Sequence, residues 1–87
     1  MRFKQLYINR DHYYSVGIDE DTGDHMLAVV ITWVAWYSIY FRLTHEEVIL
    51  FRENSEALTE LSYEMASEKG EWKFKDRLVL NEGPQKR

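Results

Sequence analysis

The longest uncharged stretch of the chain, MLAVVITWVAWYSIYF at residues 26–41, places the strongest constraint on the fold. Its sixteen residues fall short of the ~20 apolar residues that a transmembrane helix needs. Valine, isoleucine, tyrosine and tryptophan dominate the stretch, and these residue types favour β-strands. The stretch therefore predicts two adjacent buried strands rather than a membrane helix.

Alternating apolar residues predict further strands. Residues 12–19 and 25–32 alternate on either side of Gly23, which supplies the positive φ of a tight turn, so they predict a hairpin. Residues 34–44 predict a third strand, antiparallel to the second because the connection between them is short. Residues 2–9 fit a first strand or a short helix.

A helical period replaces this alternation after Thr44. Thr44 and Glu47 have the spacing of a capping box, in which each side chain bonds the backbone amide of the other residue. Residues 52–55 predict an interruption, with Asn54 or Ser55 capping a second helical segment.

The second segment has an apolar stripe of Leu58, Leu61 and Met65, and Gly70 is expected to end it. Residues 71–80 alternate again and predict a closing strand. The sequence thus predicts one α+β domain over residues 1–87. It comprises an antiparallel β-meander of three to five strands, one broken helix packed on one face, a C-terminal strand and a frayed tail at 81–87.

The composition favours a protein of the reducing cytoplasm, because the chain has no cysteine. Arg2 and Lys4 follow Met1 without an apolar segment, so no signal peptide is expected. A net charge of −4 argues against a general nucleic-acid or membrane binder and favours basic partners.

The chain has no residues at the spacing that known metal-binding and catalytic motifs require. A calcium loop of the EF-hand type needs an oxygen ligand at position 5 and glycine at position 6. Counted from Asp19, this chain has Gly23 and Asp24 there instead. The HEEVI segment carries Ile49 where a zinc helix needs its second histidine. No serine lies in a nucleophile elbow, and no glycine-rich loop could hold phosphate. We therefore expect no enzyme activity, metal or cofactor.

Acidic side chains give the clearest candidate for a binding surface. Residues 46–69 contain seven acidic and two basic side chains, a charge of −5. Their glutamates at four-residue spacing fit a solubilising helix face or a surface that attracts a basic partner. Aromatic side chains, which often anchor interfaces, are too many for so small a core. The predicted partner-binding residues are Glu56, Glu60, Glu64, Glu68, Asp19, Asp21, Asp24, Trp33, Trp36 and Tyr40.

The segments YYSVGIDEDTGDHMLAVVI and WYSIYFRLTHEE, within residues 13–47, resemble small bacterial proteins of the toxin-immunity kind. The resemblance implies a cytoplasmic inhibitor that covers a basic, nuclease-like toxin without chemistry of its own.

Two alternatives remain open. Lys73, Lys75 and Arg77 form a basic face of the predicted closing strand, which would suit a nucleic-acid-associated regulator. Trp72 and Phe74 lie on the opposite face of that strand, so the stacking platform of sheet-based RNA binders is missing. The other alternative is a self-associating structural domain, such as a homodimer.

Overall fold

The structure is a computed structural model, and it is described for residues 1–32 and 36–83. The described strands form one antiparallel sheet in the order β1-β2-β3-β4-β5. Their bounds are β1 Phe3–Asn9, β2 Tyr14–Asp19, β3 His25–Ile31, β4 Tyr37–Arg42 and β5 Leu78–Asn81. The predicted α+β meander is therefore confirmed, and residues 2–9 supply its first strand.

The helical elements lie between β4 and β5 and cover one face of this sheet. Their bounds are α1 His45–Glu53, α2 Thr59–Ala66, α3 Gly70–Lys73 and a 3-10 turn at Lys75–Arg77. Leu58 and Met65 are buried in one cluster with inward-facing strand residues such as Leu27 and Phe41. This helix-covered side is called the covered face below.

The capping box at the start of α1 is confirmed. The Glu47 carboxylate accepts from the Thr44 amide at 2.9 Å, and the Thr44 hydroxyl accepts from the Glu47 amide at 3.2 Å. Glu47 also forms an ion pair with the Arg77 guanidinium, whose Nε donates to the Arg42 carbonyl at 3.0 Å. These contacts tie the start of α1 to the segment that leads into β5.

The opposite side of the sheet, called the open face below, has no described helix on it. Its centre is closed by its own aromatic side chains. The Phe3 ring lies against Gly17 and meets the Tyr40 ring edge-on, with 5.1 Å between ring centroids. Tyr40 also pairs across the strands with Ala28. Met26 on this face is consequently only 1% exposed.

The closing strand predicted over residues 71–80 is wrong in its extent, because only Leu78–Asn81 pair with β4. Gly70 is buried, and a Cβ there would overlap the carbonyl oxygen of Met65, so this glycine packs α3 against the end of α2. Phe74 packs edge-on against Phe41, with 6.2 Å between ring centroids. These packing contacts favour a compact helical path over an extended one.

Other boundaries also differ from the predictions. Asn54 and Ser55 do not cap α2, which begins at Thr59 after Leu58 without a side-chain cap. The Asn54 side chain instead accepts from the Glu56 amide at 3.0 Å within the connection. At the C-terminus, Asn81 is the last residue of β5, whereas the sequence predicts that the tail begins there.

Candidate protein-binding surface

The four glutamates at four-residue spacing, here called the acidic face, do not share one helix. Glu60 and Glu64 lie within α2, whereas Glu56 precedes it and Glu68 follows it. All four are exposed. Glu64 lies 3.9 Å from the Lys73 amine, while the other three form no ion pair among the described residues. Repulsion between carboxylates at spacing i, i+4 of one helix therefore applies only to the pair Glu60 and Glu64. The acidic face consequently costs little folding stability.

The acidic residues of the β2–β3 turn have roles in the turn itself. Asp19 is buried and accepts from the amides of Asp21 at 2.9 Å and Arg2 at 3.3 Å. These backbone hydrogen bonds, the one from Asp21 foremost, hold the pKa of the Asp19 carboxyl below its ordinary value. Asp21 pairs with the Arg2 guanidinium at 3.0 Å, and Asp24 accepts from the Thr22 hydroxyl at 3.2 Å.

The predicted aromatic residues differ in exposure. Trp36 is 70% exposed and meets the Tyr13 ring edge-on, with 5.7 Å between ring centroids. Tyr40 is half-buried against Phe3, and burial raises the pKa of its hydroxyl, with the nearby Glu82 carboxylate adding to the effect. Trp33 lies outside the described residues.

The β1–β2 turn brings further aromatic side chains to the same end of the sheet. The His12 ring meets the Tyr63 ring at 5.4 Å, and its Nδ1 is hydrogen-bonded to the Tyr63 hydroxyl. The adjacent Tyr13 contacts Trp36 on the open face. Tyr63 and Tyr13 are 54% and 50% exposed. Tyr63, His12, Tyr13 and Trp36 thus form an aromatic strip around the end of the sheet.

Tyr14 anchors this strip to α2 from inside the fold. Its hydroxyl lies 3.0 Å from the Thr59 hydroxyl at the start of the helix. Burial raises the pKa of Tyr14, and the hydrogen bond to Thr59 offsets part of that effect. The turn and α2 are therefore held in a fixed relation at their buried side, while the strip remains accessible.

The structure brings together only part of the predicted set. Glu60 and Glu64 flank Tyr63 on α2, and the strip leads from there to Trp36. The β2–β3 turn lies at the opposite end of the sheet. Tyr40 belongs to the closed centre of the open face.

The sequence pattern does not identify Tyr63, His12 and Tyr13 as a group. Tyr63 had a local signal, since it lies off the apolar stripe of Leu58, Leu61 and Met65 and had to point elsewhere. The contacts of His12 and Tyr13 depend on where the turn meets α2 and the start of β4. No local sequence pattern predicts that these three parts of the chain lie close together.

Among residues 1–32 and 36–83, no three histidine or acidic side chains are grouped so that they could hold a metal ion. Over those residues, every helix is too short or too polar to cross a membrane. Comparison of the chain with protein-family models, curated proteins and solved structures found no match.

Proposed function

We propose that this chain is a non-enzymatic binding protein that engages a basic protein through its acidic face and aromatic strip. One observation carries the proposal, namely that exposed Glu60 and Glu64 lie three residues before and directly after the accessible Tyr63 in α2, at the start of the strip. Carboxylates at a rim speed association with a basic partner, while desolvated aromatic side chains supply most of the binding energy.

A nuclease-like toxin is the class of partner that fits this surface best. Such enzymes bind phosphates through basic side chains, which supply the charge that the acidic face would meet. An inhibitor that covers those side chains needs no chemistry of its own. The resemblance of residues 13–47 to immunity proteins points to the same role, carried out in the cytoplasm.

The nucleic-acid alternative has less support, because its basic strand face does not form. Lys73 lies near Glu64 at 3.9 Å, and Arg77 pairs with Glu47. Lys75 lies over the Trp72 ring, 5.9 Å from its centroid. All three residues belong to helical turns, and their charges are spread over separate contacts.

The test begins with capture of basic proteins from the native host by the purified chain. Affinity for a captured protein is then measured for the wild type and for Glu56→Gln/Glu60→Gln. Removing two rim charges is expected to weaken binding about tenfold, mainly through slower association, because exposed charge pairs contribute about 0.2–1 kcal/mol each. Tyr63→Ala is expected to cost about 2 kcal/mol or more, as an interface anchor does.

The matched control is Glu20→Gln/Glu46→Gln, which removes the same charge from other parts of the surface. Its affinity should stay within about twofold of the wild type, since distant charges are screened over about 8–10 Å. Equal losses of affinity in both double variants would show that binding depends on the net charge of the chain and not on the acidic face. Failure to capture any basic protein would remove the proposal.

A further inference from the structure

A depression on the open face, beside the β1–β2 turn, has a volume of about 260 Å³. Ile8, Tyr13 and Val30 form its apolar walls, and Arg10 lies at its edge. Small-molecule sites usually enclose about 300–1,000 Å³. The smaller volume suits one large apolar side chain presented by a protein partner.

The backbone at this depression is held in a conformation that the residue type disfavours. Tyr13 has φ of 58°, in the left-handed region where a Cβ crowds the backbone. Glycine or asparagine occupies such turn positions more readily. The turn is fixed by the Asn9 side chain, which accepts from the amides of Asp11 at 3.1 Å and His12 at 3.0 Å. Tyr13 thus lines the depression at the expense of backbone strain.

The residue types around the depression are those that dominate interfaces. Tyr13 and Trp36 are half or more exposed, and Arg10 is exposed without an ion pair among the described residues. Tyrosine, tryptophan and arginine are the side chains most enriched among interface hot spots. Arginine also binds carboxylates through paired hydrogen bonds, so Arg10 sets the charge of the ligand.

We infer that the depression is a docking site for a protein segment that carries a large apolar side chain next to a carboxylate. The apolar side chain fills the space between Ile8, Tyr13 and Val30, and the carboxylate pairs with Arg10. This site selects a ligand charge opposite to that selected by the acidic face, and it lies on the other side of the sheet. Tyr13 belongs both to the aromatic strip and to this depression, so Arg10 and the glutamates of the acidic face are the residues that distinguish the two sites.

The test is selection of binders from a displayed library of random heptapeptides, with the wild-type chain as target. Enriched peptides should share a large apolar residue with an aspartate or glutamate within two positions. Their affinity should fall at least tenfold in Tyr13→Gly and in Arg10→Gln. Arg10→Lys, which keeps the charge, should lose less. Glu56→Gln/Glu60→Gln should bind them like the wild type, which separates this site from the acidic face.

A stability measurement keeps Tyr13→Gly informative. Because glycine adopts φ of this sign freely, the urea midpoint of Tyr13→Gly should equal or exceed that of the wild type. A large fall would assign the ring to folding and overturn the inference. So would a lack of enriched peptides, or peptides that bind Tyr13→Gly unchanged. A wild-type dimer that Tyr13→Gly dissolves would assign the depression to a second copy of this chain and overturn it too.

Discussion

The covered and open faces of the sheet reach burial by different means. On the covered face, α1 and α2 bury Leu27, Val29 and Phe41 completely. On the open face, Met26 is buried just as well, but beneath a layer of the sheet's own side chains such as Phe3 and Tyr40. An antiparallel sheet often packs one face and leaves the other to solvent. Here the second face is closed at its centre and open at one end.

Under the proposed binding function, this difference separates stability from recognition within one sheet. The covered face holds the contiguous core, so its residues set the free energy of unfolding. The open face needs only its aromatic centre for that purpose. Tyr13 and Trp36, at its open end, remain accessible to solvent.

Neighbouring residues of β4 offer the strongest test of this division. Phe41 points to the covered face and Tyr40 to the open face. Phe41→Ala is expected to cost about 3–5 kcal/mol of unfolding free energy, because it leaves a cavity in the core. Tyr40→Ala should cost about 1–2 kcal/mol, since its ring is only half-buried.

Urea unfolding of the two variants measures both costs. Because small domains are stable by about 5–15 kcal/mol, Phe41→Ala should lose much of its cooperative transition. Equal costs for the two substitutions would break the division between the faces.

Local pattern was sufficient for the elements on which this comparison rests. The strands around residues 26–41 and the Thr44–Glu47 capping box were predictable because alternation and cap spacing are properties of neighbouring residues. The path of residues 70–77 was not. It depends on Gly70 against Met65 and on Phe74 against Phe41, which are contacts between distant parts of the chain.

The same limit applies to the candidate surface. The glutamates could be found from their spacing, although their distribution over α2 and its flanks could not. The aromatic strip arises where the β1–β2 turn meets α2, and the contact between His12 and Tyr63 joins residues 51 positions apart. Only the sheet register and the position of the helix create it.

Gly17 provides a second, smaller test of how the open face closes. A Cβ at this position would lie 2.6 Å from Cζ of Phe3 and would also overlap the Lys4 carbonyl oxygen. Gly17→Ala should therefore displace Phe3 and β1, at a cost of about 1–3 kcal/mol. Thermal or urea unfolding measures the loss. Ser15→Ala, on the same strand and face, is the control and should stay close to the wild type; equal behaviour would show that Phe3 does not seal this face.

The smallest expected effect depends on pH and concerns the Asp19 carboxylate, which holds the chain just before β1. Asp19 accepts from the Arg2 amide and so holds the residue that precedes Phe3 in place. Its folded pKa lies below the ordinary value of 3.8. The stabilisation is therefore complete well above pH 3.8 and is lost as the pH falls through the folded value. Above this window, Asp19→Asn should be less stable than the wild type, because the amide keeps an acceptor oxygen but lacks the charge.

Unfolding measured in steps from pH 6 to pH 2 checks this sign. The unfolding free energies of the two proteins should converge as the pH falls, because the protonated wild-type carboxyl then resembles the asparagine amide. Asp11→Asn is the control, since the Asp11 carboxylate forms no ion pair or hydrogen bond among the described residues. Its difference from the wild type should change little over the same steps. If the difference in unfolding free energy between the wild type and Asp19→Asn grew toward low pH, the pKa shift would have the opposite direction. Asp19 would then not be the residue that stabilises this end of the sheet.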